Sequence, residues 1–198
     1  MISFFKTDTS KSFAKKHQER TGHDLSPHSV FCFKIPLYMH DGRVRLRPLR
    51  ISDIPFMYNK LQDKDLLKAI GLTRPFTGSC FHLWWWLRKT FIFRYAIEAD
   101  SRLIGFMGLY DLMPGKSSEL TLLIADEKCR RLGYGSSAFS LLAQALERYS
   151  SIEKLIVKVR ADNEAARSFW SKLGFEKQDD LRSLQVMSIK VNSQQKRL

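Results

Sequence analysis

The sequence predicts one α/β domain built on a mixed sheet with helices packed against it. From Val44 onward, strand-like and helix-like patterns follow the order strand, helix, helix, three strands, helix, strand, helix, strands. The hydrophobic fraction of 44%, with 12% aromatic residues, is sufficient for a core and argues against disorder. We therefore expect an extension without clear periodicity at residues 1–42, the folded domain at 43–192 and a basic tail at 193–198.

The stretch "RVRLRPLR" at 43–50 opens the domain with the alternation of a strand. Arg43, Arg45 and Arg47 share one face of that strand, and the intervening apolar residues share the other. We interpret the basic face as solvated rather than as a nucleic-acid-binding stripe, because no zinc finger, RNA-recognition signature or basic zipper accompanies it. The stretch "FCFKIPLYM" at 31–39 is an additional strand candidate.

Helices are predicted next. Ser52 is a candidate cap for "SDIPFMYNKLQD", and Asp65–Ile70 adds a short turn of helix. After the loop "GLTRPFTGS", the stretch "CFHLWWWLRKTFIF" has aromatic residues at helical spacing. The three tryptophans at 84–86 cannot share one helical face, so some of them are expected to line a pocket or a dimer contact while at least one packs in the core.

The second half of the domain has clearer patterns. Three successive strands are predicted in "RYAIEAD", "RLIGFMGLYDL" and "SELTLLIAD". The stretch "GYGSSAFSLLAQALERYS" is an amphipathic helix, and "EKLIVKVRA" alternates as a strand. A short helix headed by Asn163, followed by closing strands at Phe175 and in "SLQVMSIKV", completes the order.

Charge and cysteine content narrow the class of protein. The formal net charge of +13 favours an anionic partner, such as a phosphorylated cofactor, nucleic acid or an acidic membrane surface. Cys32, Cys80 and Cys129 share no metal-binding or redox spacing, so we expect no metal site and a reducing, cytoplasmic location. No secretory leader and no stretch long enough for a membrane helix is visible.

The most informative stretch is "CRRLGYGSSAF", which lies between a predicted strand and a predicted helix. Gly133 and Gly135 allow the backbone to approach a ligand closely, and the free amides of the first helical turn lie at the positive end of the helix dipole. This arrangement would suit a phosphate or pyrophosphate. The stretch lacks the Gly-Lys-Ser/Thr of a P-loop and the third glycine of a dinucleotide fingerprint, so a plain strand-to-helix turn is the alternative.

Arg130-x-x-Gly133-x-Gly135, followed by a helix, a strand and an Asn163-headed helix that ends on Gly174-Phe175, resembles the GCN5-related N-acetyltransferase (GNAT) superfamily. The acetyl-CoA loop of that superfamily has the form Arg/Gln-x-x-Gly-x-Gly/Ala. The similarity runs from Val44 to about Val191, and "VRLRPLRISDIPFMYNKLQDKDLLKAIG" looks like the RimJ/RimL-type branch. The resemblance implies a mixed, mostly antiparallel central sheet, splayed between its fourth and fifth core strands and flanked by helices.

The resemblance also implies a binding mode for acetyl-CoA. The pantetheine arm would lie along the strand before the loop, loop amides would hold the pyrophosphate, and Asn163 would bond the pantetheine as well as capping its helix. Trp170 stands where many members have a tyrosine that protonates the departing thiolate. Indole cannot supply that proton, so we expect Trp170 to wall the thioester end of the site, with core packing as the alternative. The implied cofactor contacts are Leu122, Leu123, Ile124, Arg130, Arg131, Leu132, Gly133, Tyr134, Gly135, Ser136, Asn163, Phe169 and Trp170.

Transfer of an acetyl group to an amine needs a base, because an amine of ordinary pKa is protonated at neutral pH. Glu119 is the best candidate for that base, since the family often has a carboxylate there; a solvated residue is the alternative. Asp111, Glu98 and His82 are weaker candidates.

The sequence thus predicts a direct acetyltransferase for a primary amine: a protein N-terminus, an aminosugar or nucleotide sugar, a polyamine or another small amine. The missing tyrosine leaves open a non-catalytic acetyl-CoA-binding module. The basic composition leaves open a nucleic-acid- or ribosome-associated protein, and a homodimer is a further open alternative.

Overall fold

The computed structural model describes residues 34–69, 93–113, 116–181 and 183–191. The Trp-rich stretch with His82 and most of the extension at 1–42 lie outside these residues. The described strands are β1 Met39–His40, β2 Arg45–Pro48, β3 Phe93–Ala99, β4 Arg102–Met113, β5 Ser117–Ile124, β6 Lys154–Arg160, β7 Glu176–Leu181 and β8 Leu184–Lys190. The described α-helices are α1 Ile54–Lys60, α2 Lys64–Ala69, α3 Tyr134–Tyr149 and α4 Glu164–Lys172.

The eight strands form one sheet in the order β1-β2-β3-β4-β5-β6-β8-β7. Every neighbouring pair is antiparallel except β5 and β6, which are parallel and joined through α3. A parallel pair needs a crossover of this length, whereas the other strands are antiparallel to their neighbours. The predicted mixed, mostly antiparallel sheet is confirmed.

The parallel pairing of β5 with β6 is short. It joins only Ser117–Glu119 to Lys154–Ile156, although β5 continues to Ile124 and β6 to Arg160. Beyond Glu119 the two strands therefore separate, while β5 stays paired with β4 and β6 with β8. Counted from β2, these are the fourth and fifth strands, as the resemblance implied. The sheet has a gap at this point, bounded by backbone groups that have no strand partner across it.

Two clusters of buried side chains cover the two faces of the sheet. The larger cluster joins α3 and α4 to one face, with Leu142 fully buried between them and sheet residues such as Met107 and Leu155. The smaller cluster joins α1 to the other face through Met57, which packs near Phe106 and Leu123. Since side chains alternate along a strand, β4 and β5 contribute to both clusters, with Met107 and Leu120 in the larger one and Phe106 and Leu123 beside the smaller one.

The basic face predicted for β2 is not a solvated stripe. Arg45 is exposed, but Arg47, two residues along, is 6% exposed. Its guanidinium donates to both carboxylate oxygens of Asp53 at 2.8 Å and to Glu98 Oε1 at 2.6 Å. A planar guanidinium matches this two-oxygen geometry, so Arg47 is a buried link between β2, β3 and the start of α1.

The predicted cap at Ser52 is wrong. Ser52 lies inside a 3-10 turn, Ile51–Asp53, and α1 begins after Asp53. The Asp53 carboxylate accepts from the Arg50 amide at 2.7 Å as well as from Arg47. The side-chain pair of Asp53 with Arg47, which is 6 positions away in the chain, therefore determines the start of α1 in place of a cap at Ser52. Of the strand candidate at 31–39, the described part is strand only from Met39.

No helix in the described ranges is long and apolar enough to cross a bilayer.

We predict that Asp53→Asn lowers the free energy of unfolding by about 3–5 kcal/mol, because it leaves the buried Arg47 charge uncompensated. Burial acts to raise the pKa of Asp53, but the hydrogen bonds from Arg47 and Arg50 prevail and hold that pKa below its ordinary value. Stability from a carboxyl with a depressed pKa is complete above the unfolded value, about 3.9, and is lost as pH falls through the folded value.

Urea unfolding of the wild type and of Asp53→Asn, measured at neutral pH and at a series of acidic pH values, checks both statements. The variant should lose less stability than the wild type on acidification. Glu176→Gln, which removes an exposed carboxylate, is the matched control. Equal unfolding free energies for the two variants would contradict the role of the Arg47–Asp53 pair.

Candidate active site

The open end of the gap is where three elements meet. Gly135, in the first turn of α3, lies so close to its neighbours that an added Cβ would sit 3.3 Å from the Phe169 ring and 3.5 Å from Leu122 Cδ2. Leu122 belongs to the part of β5 that β6 does not pair, and Phe169 belongs to α4. A side chain at this position would crowd the Phe169 ring, so glycine favours the close packing that brings the predicted loop, strand and helix to one site.

The loop before α3 has a backbone shape suited to an anion. Gly133 is the N-cap of α3 with φ of 85°, and Arg131 has φ of 61°. The first intrahelical bond runs from the Ser137 amide to the Gly133 carbonyl at 3.0 Å. Within the described chain, the amides of residues 131–136 donate to no backbone carbonyl. A positive helix end and free donors together make a cradle for a phosphate.

The two arginines of the loop have different surroundings. Arg130 donates from Nε to the Ile124 carbonyl at 3.1 Å and from Nη2 to the Ala125 carbonyl at 3.4 Å. Its guanidinium thus holds the end of β5 against the loop. Arg131 and Leu132 are exposed, and Arg131 has no ion pair among the described residues. The left-handed conformation of Arg131 is costly for a side-chain-bearing residue, which is typical of functional loops.

A third arginine, Arg43, contacts the loop although it lies far from it in the sequence. Arg43 Nη2 donates to the Leu132 carbonyl at 2.9 Å, and the guanidinium lies 5.6 Å from the centroid of the Tyr134 ring. The sequence motifs did not reveal this contact, because the partners are 89 positions apart. The +13 charge of the chain offers no way to single out Arg43 either.

Asn163 caps α4 as its residue type predicts. Its Oδ1 accepts from the Ala166 amide at 3.0 Å. The helix ends in a Schellman motif, in which the Phe175 amide donates to the Trp170 carbonyl at 3.0 Å and Gly174 has φ of 88°. The segment from Asn163 to Phe175 is therefore one helix that is capped by hydrogen bonds at both ends.

Glu119 lies at the point where β5 and β6 part. It is 7% exposed, so the solvated alternative does not hold. Its Oε1 accepts from the Tyr110 hydroxyl at 2.5 Å, and its Oε2 lies 2.5 Å from Lys158 Nζ. Glu119 shares a strand face with Leu123, which packs near α1, so the carboxylate is on the α1 face of the sheet. Tyr110 and Lys158 are site residues that the sequence patterns missed.

The other carboxylate candidates are placed differently. Asp111 is exposed in an irregular part of β4, with φ of 47°. Glu98 is paired with Arg47, at 2.6 Å. These contacts do not place the carboxylate of Asp111 or Glu98 at the gap between β5 and β6. Across the described ranges, no group of three or more His, Cys, Asp or Glu side chains could hold a metal ion.

A comparison with known families accounts for this arrangement. Residues 43–176 match the family model described as an acetyltransferase (GNAT) domain, which is more than half of the chain. The chain belongs to the GNAT acetyltransferase family. As a GNAT domain it is assigned to the acyltransferase class of enzymes.

Solved structures of other GNAT proteins share this fold. Spermidine N-acetyltransferase from Vibrio cholerae, in complex with CoA and spermine, is 21% identical with a TM-score of 0.61, over 77% of this chain and 98% of that one. RimL, a ribosomal L7/L12 alpha-N-protein acetyltransferase in complex with coenzyme A, is 16% identical with a TM-score of 0.62, over 80% and 98%. A probable GNAT acetyltransferase from Chromobacterium violaceum is 17% identical with a TM-score of 0.67, over 87% and 96%.

At these identities the neighbours show the fold alone. A search of curated protein sequences finds no match.

Trp170 lies in the aromatic core of this GNAT domain. It is 6% exposed, and its ring makes edge contacts with the rings of Phe139, Phe169 and Phe175 at centroid distances of 6.0, 4.9 and 4.9 Å. This placement favours the core-packing alternative over the expected wall of the thioester site. Phe169, which is half-buried and contacts Gly135, is the aromatic residue of α4 at the mouth of the gap.

We predict that Trp170→Ala lowers the free energy of unfolding by about 3–5 kcal/mol, as expected for removing a large ring from a packed core. Trp170→Phe should lose less, since it keeps an aromatic ring against Phe139. Denaturant unfolding measures both, with the exposed neighbour Ser171→Ala as control. If Trp170→Ala were as stable as Ser171→Ala, the packing role would be wrong.

Proposed function

We propose that this protein transfers an acetyl group from acetyl-CoA directly to the nitrogen of a primary amine. The observation that carries the proposal is the junction at Gly135, where the unpaired edge of β5 meets the free amides of the α3 N-terminus. An extended pantetheine arm needs such an edge, and a pyrophosphate needs such amides. The two requirements are met side by side.

The proposed cofactor site runs along the gap between β5 and β6, from its open end at Gly135 to the point near Glu119 where the two strands part. The amides of residues 131–136 would bind the pyrophosphate, with Arg131 as an exposed positive charge beside them. The backbone of Leu122–Ile124 would pair with the pantetheine arm, as a strand partner in place of β6. The Asn163 side chain already accepts from Ala166, so its amide nitrogen is the group left to contact the pantetheine.

The reaction we propose is a direct displacement. The amine lone pair attacks the thioester carbonyl carbon, the new C–N bond forms, and the C–S bond breaks to release the thiolate of CoA. Amides at the unpaired edge of β5 can donate to the oxygen as it gains negative charge. The proton that the amine loses passes to a base, and the thiolate takes up a proton from water. Trp170 supplies none, because indole is not an acid at neutral pH and this side chain is buried.

Glu119 is the base that we propose, acting on an amine that approaches from the α1 face. Tyr110 and Lys158 contact its two oxygens, so the carboxylate is held in one orientation. Lys158 is about one-third exposed on its side chain and can turn toward solvent when the acceptor enters. The incoming ammonium then takes the place of Lys158 beside Oε2 and gives one proton to the carboxylate, directly or through a bound water, which frees the lone pair for attack. The second proton, lost as the C–N bond forms, passes to water.

A covalent acetyl-cysteine intermediate is not part of the proposal. Cys129 is the cysteine within the described residues, near the start of the loop. Burial and the nearby carboxylates of Asp126 and Asp100 raise the pKa of its thiol. A raised pKa disfavours the thiolate, which is the nucleophilic form, so direct transfer is the simpler route.

For the acceptor, the proposed class is a primary amine that carries negative charge elsewhere, such as a nucleotide aminosugar or an acidic protein N-terminus. The net charge of +13 supports attraction of such a molecule. The opening "RLRPLR" supports placement in the RimJ/RimL branch. Two neighbours carry names that fit amine acceptors in general, one for spermidine and one for a ribosomal protein.

The decisive experiment is a thiol-release screen with acetyl-CoA and a panel of polyamines, aminosugars, nucleotide aminosugars and peptides with free N-termini. Amine-dependent release of CoA, with the acetylated amine identified by mass spectrometry, is the expected result. Calorimetric binding of acetyl-CoA without release for any amine would instead indicate a non-catalytic binding module.

We predict that Glu119→Gln lowers kcat by about 10²–10⁴-fold, the usual contribution of a general base, with little change in the Kd of acetyl-CoA. Steady-state thiol release and calorimetry measure the two quantities. Glu127→Gln, an exposed carboxylate in the turn before the loop, is the matched control. If Glu119→Gln kept the wild-type kcat, a water chain rather than this carboxylate would be the base.

A second prediction concerns the loop. Gly133→Val should weaken acetyl-CoA binding by at least about tenfold, because a β-branched residue at φ of 85° is strained by more than about 1–2 kcal/mol. Calorimetric titration with acetyl-CoA measures this, and thermal unfolding confirms that the variant is folded. Normal binding by a folded Gly133→Val would rule out the loop as the phosphate site.

A further inference from the structure

The contact between Arg43 and the loop acts on one peptide group. Arg43 Nη2 donates to the carbonyl of Leu132 at 2.9 Å. That carbonyl belongs to the same planar, trans peptide as the Gly133 amide, so the two groups point in opposite directions. Holding the carbonyl toward Arg43 therefore directs the Gly133 N–H the other way, as one of the free donors that form the phosphate cradle.

This peptide is unusually free to turn over. A flip of the peptide between two residues changes mainly the ψ of the first and the φ of the second. The second residue here is Gly133, and glycine adopts negative and positive φ with similar ease. A flipped peptide would aim the Leu132 carbonyl, the negative end of its dipole, into the cradle. Some other contact must then select the orientation that a phosphate can use.

The turn that carries Arg43 is itself anchored. The Asp41 carboxylate accepts from the amides of Arg43 and Val44 at 2.9 and 2.8 Å. Burial acts to raise the pKa of Asp41, but these bonds and one with the Ser137 side chain outweigh it, and the pKa lies below its ordinary value. Ser137 belongs to the first turn of α3, so the carboxylate that anchors the turn at 41–43 faces the start of that helix.

The ring of Tyr134 completes the arrangement. The Arg43 guanidinium lies 5.6 Å from its centroid, a cation–π distance, at the first residue of α3. An arginine side chain held at its backbone by Asp41 and at its head by Leu132 and Tyr134 has few other positions open to it.

We propose that Arg43 is a positioning residue of the phosphate loop, which selects the orientation of the Leu132–Gly133 peptide that binds the diphosphate of CoA. The inference rests on the proposed function, because it assumes that the loop binds that diphosphate. Without Arg43, only a fraction of the molecules have the competent loop, and the apparent Kd rises by the inverse of that fraction. The loss of one charge-assisted hydrogen bond makes this about tenfold.

The test compares Arg43→Met with Arg45→Met. Both changes remove one positive charge from the same strand region, but the Arg45 side chain is exposed and makes no hydrogen bond or ion pair with the described residues. Calorimetry with CoA and with pantetheine, which lacks the phosphates, gives the binding readout. We expect Arg43→Met to weaken CoA binding about tenfold and pantetheine binding not at all, while Arg45→Met binds both as the wild type does.

Kinetics and spectroscopy separate positioning from a general loss of structure. The KM for acetyl-CoA should rise about tenfold in Arg43→Met with kcat within about twofold, and the KM for S-acetylpantetheine should stay unchanged. In glycine-labelled protein, the Gly133 amide resonance should be single in the wild type and broadened or doubled in ligand-free Arg43→Met. Arg43→Lys, which keeps the charge and a donor, should recover part of the affinity.

Equal CoA affinities of Arg43→Met and Arg45→Met would overturn the inference while leaving the proposed function in place. The same holds if Arg43→Met weakened CoA and pantetheine binding by equal factors, since the effect would not then lie at the phosphates. If the wild type failed to bind CoA at all, the proposed function would fail, and this inference with it.

Discussion

The architecture of the site depends on the shortness of the backbone pairing between β5 and β6. Only Ser117–Glu119 of β5 pairs with β6, and each strand then follows its other neighbour. An interior strand normally has both edges satisfied, since unpaired amides and carbonyls are costly when buried. Here one edge of Leu122–Ile124 is left for a partner outside the sheet. The crossover helix α3 begins beside this edge, so its free amides extend the row of unsatisfied groups.

A buried carboxylate lies at the closed end of the gap, where β5 and β6 stop pairing. Glu119 is buried, and an isolated carboxylate there would be strongly disfavoured. Tyr110 from β4 and Lys158 from β6 satisfy both oxygens, so one side chain from each flanking strand meets the carboxylate where backbone pairing ends. The cluster ties the two strands together at that point. It also fixes the orientation of the carboxylate at the end of the gap, where the β5 edge continues as Leu122, Leu123 and Ile124.

Sequence patterns predicted the parts of this site that depend on local chemistry. The Gly133-x-Gly135 spacing, the Asn163 cap and the alternation of β6 are short-range features, and the structure has them. The contacts of Arg43 with Leu132 and of Arg47 with Glu98 were not predictable, because they span 89 and 51 positions. The partners of Glu119 depend on the register of three neighbouring strands. Ser52 shows the reverse case, in which a local capping pattern yields to the buried Arg47–Asp53 pair.

The short β5–β6 contact also divides the sheet by chain order. Strands β1 to β5 lie on one side of it and β6 to β8 on the other, so each half is built from strands contiguous in sequence. Most strand pairs within the halves are made by near neighbours along the chain, which close with little loop entropy. Each half is therefore expected to form early by local zipping during folding. The short β5–β6 contact is then expected to form last, together with the packing of α3, so the site is assembled in the same step that unites the two halves of the sheet.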